Sequence, residues 1–181
     1  MYHHLVQLAE AHHLPMQIHT GLQAGNGNFI ANSNPTQLTN IFFRYPKVQF
    51  DIFHIGYPYD RELTAIAKMF PNVNVDFCWV HIVSPSAARH SLHVFIDTVP
   101  LNKIMGFGGD YRYPELSFAH LIIARRNIAQ VLAERVQAGL FTETEAVTAG
   151  RMLLHDNPAR LFFPSGLPNR DATRLEGNAS K

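Results

Sequence analysis

The chain has a single cysteine, Cys78, so no internal disulfide is available. That usage suits a reducing compartment. Charge is also scarce. Charged residues make up 16% and the formal net charge is +1, with the basic residues scattered. This removes the electrostatic case for nucleic acid or an anionic membrane as partner. No apolar run approaches the roughly 20 residues that cross a bilayer. The N-terminus, Met1-Tyr2-His3-His4-Leu5, lacks the basic and apolar regions of a signal peptide. The cytoplasm is the expected location.

What is present suits one soluble α/β domain. The 181 residues, 46% of them hydrophobic, are enough to bury a core. Histidine is abundant, at 11 residues. His3, His4, His12 and His13 lie in or beside the first helix. Adjacent helical positions point in different directions, so these four read as solvated surface.

Apolar periodicity predicts a helix over 2–13, a strand over 16–19 and a polar glycine-rich loop from Thr20 to Ser33. Asn34-Pro35 caps the next helix. Strands are expected over 48–54, 73–80 and 103–107, alternating with helices opened at Pro58, Ser84-Pro85 and Pro114. Thr142-Glu143-Thr144-Glu145 reads as a capping box. Asp156-Asn157-Pro158 reads as the cap of a last short helix ending near Phe163. The expected domain spans 1–163, and 164–181 reads as a disordered tail.

Four βα units at spacings near 30 residues argue for a parallel sheet. A doubly wound sheet is disfavoured, because Gly21-Leu22-Gln23-Ala24-Gly25 lacks the spacing of a phosphate-binding turn. A (β/α)8 barrel fits better, since it places functional residues at the C-terminal ends of several strands. His19, His54, His81 and Asp110 are each expected to close a strand. Only four of eight units are present, so the expected fold is half a TIM-type barrel with extra C-terminal helices. Half a barrel leaves two open edges. The expected partner is therefore a missing N-terminal half-barrel or a second chain, with a homo-oligomer as one form of it.

His19, His54 and Asp110 together suit a divalent metal, zinc first, with iron, manganese or nickel as alternatives. Asp110 is the candidate proton shuttle beside a metal-activated water, and His54 the second catalytic candidate. His81, Gln23, Tyr111 and Arg112 are candidate contacts to a small-molecule substrate. Cys78 reads as core packing.

The segments Pro15-Met16-Gln17-Ile18-His19-Thr20-Gly21, Phe53-His54-Ile55-Gly56, Gly106-Phe107-Gly108-Gly109-Asp110 and Asp156-Asn157-Pro158-Ala159-Arg160 resemble the amidohydrolase superfamily. The likeness is to its amidohydrolase-related group, which includes uronate-isomerase-like and decarboxylase-like members. The resemblance implies that His19, His54 and Asp110 end the fifth, sixth and eighth strands and hold metal. It implies hydrolysis at a C–N or C–O carbonyl centre, with decarboxylation or sugar-acid isomerisation as alternatives. The His-x-His pair of the first strand is absent. A non-catalytic half-barrel or interaction module is thus a rival expectation, and a truncated gene is a third.

Overall fold

The structure, a computed structural model, describes residues 2–25 and 27–166. Most of the tail expected to be disordered, residues 167–181, lies outside the described residues. The first helix, α1 (Tyr2–Ala11), buries Val6 and Ala9 and ends ahead of Pro15. Strands β1 (Met16–His19), β2 (Phe50–Phe53), β3 (Val73–Asp76) and β4 (Ile104–Met105) form one parallel sheet in chain order. Between them run α2 (Thr39–Arg44), α3 (Asp60–Met69), α4 (Val80–Val83) and α5 (Pro85–Thr98). After β4 come α6 (Pro114–Gln137), α7 (Glu143–Arg151) and α8 (Asn157–Phe162). Parallel strands joined by helical crossovers in sequential order are what one side of a (β/α) barrel requires.

The caps explain where several elements begin. The Asn34 side chain accepts from the Thr36 amide at 2.9 Å, although the element it opens is a 3-10 turn, Pro35–Leu38, that leads into α2. Ser84 caps α5, and the capping box of α7 is present as expected. Asp156 is not a cap. Its backbone is helical, and its carboxylate accepts from Arg151 Nε at 3.2 Å and His155 Nδ1 at 2.8 Å. A π-helical turn over Met152–Asp156 carries α7 directly into α8.

The strands are shorter than expected, and not uniformly apolar. Phe50, Ile52, Val73, Val75 and Ile104 are fully buried in the core. Side chains alternate across a strand, so the register places Gln17, Asp51 and Asn74 in one row of the opposite face. His19, Phe53, Asp76 and Met105 form the next row. Its inner part is polar yet dry, with Asp51 0% and Asp76 3% exposed, whereas Gln17 and His19 on the edge strand are exposed. Gln17 Nε2 donates to Asp51 Oδ2 at 3.1 Å, and the Cys78 amide donates to Asp76 Oδ1 at 2.7 Å.

Burial pushes the Asp51 carboxyl up to about 7, and the neighbouring Asp51 charge adds to the burial that raises Asp76. A carboxyl raised above its unfolded range binds a proton in the native state that the unfolded chain has released. Stability should therefore fall as pH rises from about 4 to about 7, by about 1.4 kcal/mol per pH unit for Asp51. Urea midpoints measured across this window should show the decline, and Asp51→Asn should make it shallower, with the Asp76 contribution remaining. A midpoint that climbs with pH in both proteins would contradict the assignment.

The outer edge of β4 is capped in part within the chain. The Gly106 amide donates to the Leu153 carbonyl at 2.8 Å, and Asn157 Nδ2 donates to the Ile104 and Leu101 carbonyls, each at 2.8 Å. The π-helical turn and the first residue of α8 thus substitute for a neighbouring strand. At the other edge, β1 has no second strand neighbour among the described residues. No helix among the described residues is long and apolar enough to cross a membrane.

A candidate metal centre at the carboxyl ends of the strands

Backbone contacts bring the ends of β1 and β2 together. Thr20 Oγ1 donates to the Phe53 carbonyl at 3.0 Å, and the Leu22 amide donates to the Tyr57 carbonyl at 2.7 Å. Gly21, at φ +69°, lies flat against Gly56 and Tyr57. The consequence is an approach of two imidazoles, with the His19 and His54 ring centroids 4.2 Å apart. His19 is exposed, its Nε2 donating to the Leu22 carbonyl at 3.3 Å.

His54 follows β2 in a tight turn at φ +61°, and Ile55 follows at φ +46°. Trp79, after β3, has φ +63°, and Asp110, after β4, has φ +50°. Left-handed backbone is uncommon outside glycine and is a genuine outlier for a β-branched residue such as Ile55. Such strain, about 1–3 kcal/mol per residue, concentrates at functional sites. Here four strained residues sit at the same end of one sheet.

The buried His54 ring is oriented by its Nδ1–H, which donates to the Cys78 carbonyl at 2.8 Å. That contact leaves the lone pair on Nε2, which is buried without a partner. Burial holds the His54 imidazole below its usual range, against the raising effect of the Cys78 bond. His19 adds to the lowering, and Asp110 opposes it. An unprotonated nitrogen held in place through the other ring nitrogen is the arrangement that suits a metal ligand.

Asp110 lies at the surface. Burial is the main cause that raises the Cys78 thiol and the Tyr111 hydroxyl, and the Asp110 charge adds to both and favours protonated His54. Among the described residues, no three His, Cys, Asp or Glu side chains are placed to hold a metal ion, so the structure pairs His19 with His54 but does not bring Asp110 into a ligand set with them. The donor chemistry fits a divalent ion at His54 Nε2, with His19 adjoining and Asp110 at hand.

The other expected contacts divide. The Tyr111 ring stands 6.2 Å from the Trp79 ring, which is 6.2 Å from His54, so Tyr111 extends the wall of the site. Arg112 is exposed beside it, and Gln23 is exposed in the loop after β1. His81 is not at a strand end. β3 stops at Asp76, and His81 lies inside α4, 0% exposed. Its Nε2–H donates to the Gly106 carbonyl at 2.9 Å, and its Nδ1 accepts from Asn127 Nδ2 at 3.3 Å. Both nitrogens are spent inside the chain, which leaves none to meet a substrate.

Sequence reasoning missed His120. It is 1% exposed on α6, with neither ring nitrogen partnered, and packs 5.1 Å from the Phe107 ring and 5.8 Å from the Tyr111 ring. The signal was available. His120 and Asn127 share the helical spacing of Ala124, Ile128 and Val131, so both are polar residues in core positions.

The amidohydrolase family model matches residues 1–163. The chain belongs to the amidohydrolase family. This amidohydrolase-family chain is 32% identical over 149 residues to protein fluG of Emericella nidulans, a match covering 82% of the chain and 17% of fluG. Its structure is similar to that of a Lactobacillus casei ATCC 334 protein assigned as a metal-dependent hydrolase. The TM-score is 0.77 at 22% identity, over 91% of this chain and 43% of the other. It is also similar to a uronate isomerase from Bacillus halodurans C-125, with a TM-score of 0.71 at 19% identity, over 95% and 42%. At such identities the two structures establish the fold alone, an α/β fold consistent with part of a TIM-type barrel. The chain spans under a fifth of fluG and less than half of each structural neighbour.

A cavity of about 870 Å³ opens at the opposite end of the strands, and its lining includes Lys47, Lys68, Lys103 and Arg160. Lys103 Nζ donates to the Ala67 and Phe70 carbonyls at the end of α3, and Arg160 Nη2 to the Asn102 carbonyl. Cations at helix C-termini offset the dipole and the free carbonyls there. His13, at φ +54°, lines this cavity, while the left-handed residues His54, Ile55, Trp79 and Asp110 lie at the other end.

Proposed function

We propose that this amidohydrolase-family chain forms the C-terminal half of a metal-dependent hydrolase barrel, acting on a C–N or C–O carbonyl centre of a small molecule. The observation that carries the reading is the His54 imidazole, whose buried Nε2 has no partner while Nδ1 is fixed by Cys78. An unsatisfied buried nitrogen costs about 1–3 kcal/mol and calls for a ligand.

In this reading His54 and His19 hold a divalent ion, zinc in the first instance, and Asp110 completes the set. The ion, when bound, supplies Lewis acidity toward a carbonyl and makes water acidic near neutral pH. Asp110 takes a proton from the attacking water and returns it to the leaving group. Its exposed position suits exchange with substrate. Tyr111 and Arg112 contact the substrate, and the Trp79 and Tyr111 rings exclude water from one side.

Asp110→Asn tests the proton role. With the zinc-loaded protein and a panel of amides, esters and lactones, the substitution should lower kcat by about 10²–10⁴-fold while most of the metal is retained. Turnover that survives in Asp110→Asn would remove Asp110 from the chemistry.

A further inference from the structure

The stretch from Gly106 to Asp110 is clamped residue by residue. The Gly106 amide is held by the Leu153 carbonyl, and its own carbonyl by His81 Nε2–H at 2.9 Å. A Cβ at Gly106 would lie 2.9 Å from Ile128 Cδ1 and 3.1 Å from Leu153 Cβ. At Gly108 it would lie 2.8 Å from Cys78 Cβ, and at Gly109 2.6 Å from Ser117 Oγ. Bare backbone therefore threads between β3, α6 and the π-helical turn, and delivers Asp110 in a left-handed conformation.

Of these anchors, the one at Gly106 C=O is itself held by a relay. Asn127 Nδ2 donates to His81 Nδ1 at 3.3 Å, and Arg89 Nη1 donates to Asn127 Oδ1 at 3.0 Å. Arg89 thus fixes which way the Asn127 amide faces. Asn127 then presents a donor to Nδ1, and the proton of His81 stays on Nε2, where the Gly106 carbonyl needs it. The ring itself is stacked on Phe77, at 5.7 Å between centroids and 28° between planes. The relay joins α5, α6, α4 and the end of β4, and no buried side-chain nitrogen or oxygen in it is left without a partner.

We infer that His81 is a positioning residue for Asp110, acting through the Gly106 carbonyl and kept in its donor tautomer by Asn127 and Arg89. The inference rests on the proposed role of Asp110, and it assigns His81 a task different from substrate contact. Rotation of the peptide after Gly106 changes the direction in which the glycine run leaves the sheet. The His81 donor opposes that rotation. It also keeps Gly108 against Cys78, whose carbonyl orients His54. One buried imidazole thereby sets both an acid and a histidine of the candidate centre.

The test uses the full chain and three variants. His81→Phe keeps a ring on Phe77 and loses the donor. His81→Gln restores an N–H at similar reach. Asn127→Leu removes the relay and leaves His81 in place. Two readouts are taken: the amide resonances of Gly106, Gly108, Gly109 and Asp110 in 1H–15N spectra, and the Co2+ dissociation constant read from tryptophan emission. His81→Phe should displace those resonances, with those of Phe50–Phe53 unmoved, and should weaken Co2+ binding by about 10–100-fold, the range for outer-shell partners. His81→Gln should return both toward wild type, and Asn127→Leu should fall between. Unmoved glycine resonances in His81→Phe, or a His81→Gln no better than His81→Phe, would overturn the inference. Absence of Co2+ binding in the wild type would instead overturn the proposed metal centre, and the resonances alone would then decide the role of His81.

Discussion

Gly21→Ala is expected to destabilise the chain by more than about 3 kcal/mol, among the largest effects a single methyl group produces. The added Cβ would stand 2.2 Å from the Tyr57 carbonyl oxygen and 2.5 Å from the Gly56 carbonyl carbon. Both neighbours are backbone, so no side chain can rotate away. The residue also has φ +69°, which alanine adopts at a cost. Relief requires the loop after β1 to move off the turn after β2. That breaks the Leu22 to Tyr57 bond and the bond from Ser33 Oγ to the Gly21 carbonyl, 2.6 Å long. Gly25→Ala is the matched comparison, since Gly25 has φ +106° and open space where a Cβ would go. Its cost should be about 1 kcal/mol. Urea denaturation of both variants checks the prediction, and similar midpoints would show that the contact between the two turns is not tight.

His54→Ala is expected to weaken divalent-metal binding by at least about 100-fold, more than the loss of an outer-shell partner causes. Removing the imidazole deletes a buried nitrogen that has no partner among the described residues. The reporter is built in. Trp79 is the sole tryptophan, and its ring is 6.2 Å from His54. Titration with Co2+ should quench wild-type emission in a saturable way at one equivalent, and His54→Ala should lose that phase. Variants at His12 and His13, exposed beyond α1, should leave it intact. Equal affinity in wild type and His54→Ala would place the metal on surface histidines.

That the segments carrying His19, His54 and Asp110 lie at one end of the sheet was legible, because parallel topology puts all strand ends on one side. His81 satisfied the same spacing for a different reason. Its distance from His54 matches one βα unit, but the Cys78 amide turns back onto Asp76 Oδ1 and ends β3 early, so His81 falls on α4. Asp51 and Asp76 were read as parts of apolar runs, because a strand buried on both faces hides its alternation. The closure of β4 by Leu153 and Asn157 was not legible, since it joins residues some 50 positions apart through one amide and one side chain. Asp156 carries a residue type that caps helices, yet an uninterrupted π-helical turn left no cap to make. Asn157 beside it proved the structural residue. The strained backbone at His54, Ile55 and Trp79 is a property of packing that no residue type announces.

In the proposed centre, His54, His19 and Asp110 share one divalent ion at the carboxyl ends of the strands. Anomalous diffraction at the zinc edge, from crystals of the 181-residue protein grown with one equivalent of zinc, tests it most directly. A single strong peak is expected facing His54 Nε2 and shared with His19, with the Asp110 carboxylate turned toward it. Peaks confined to the exposed histidines of the first helix, with His54 Nε2 still unpartnered, would contradict it.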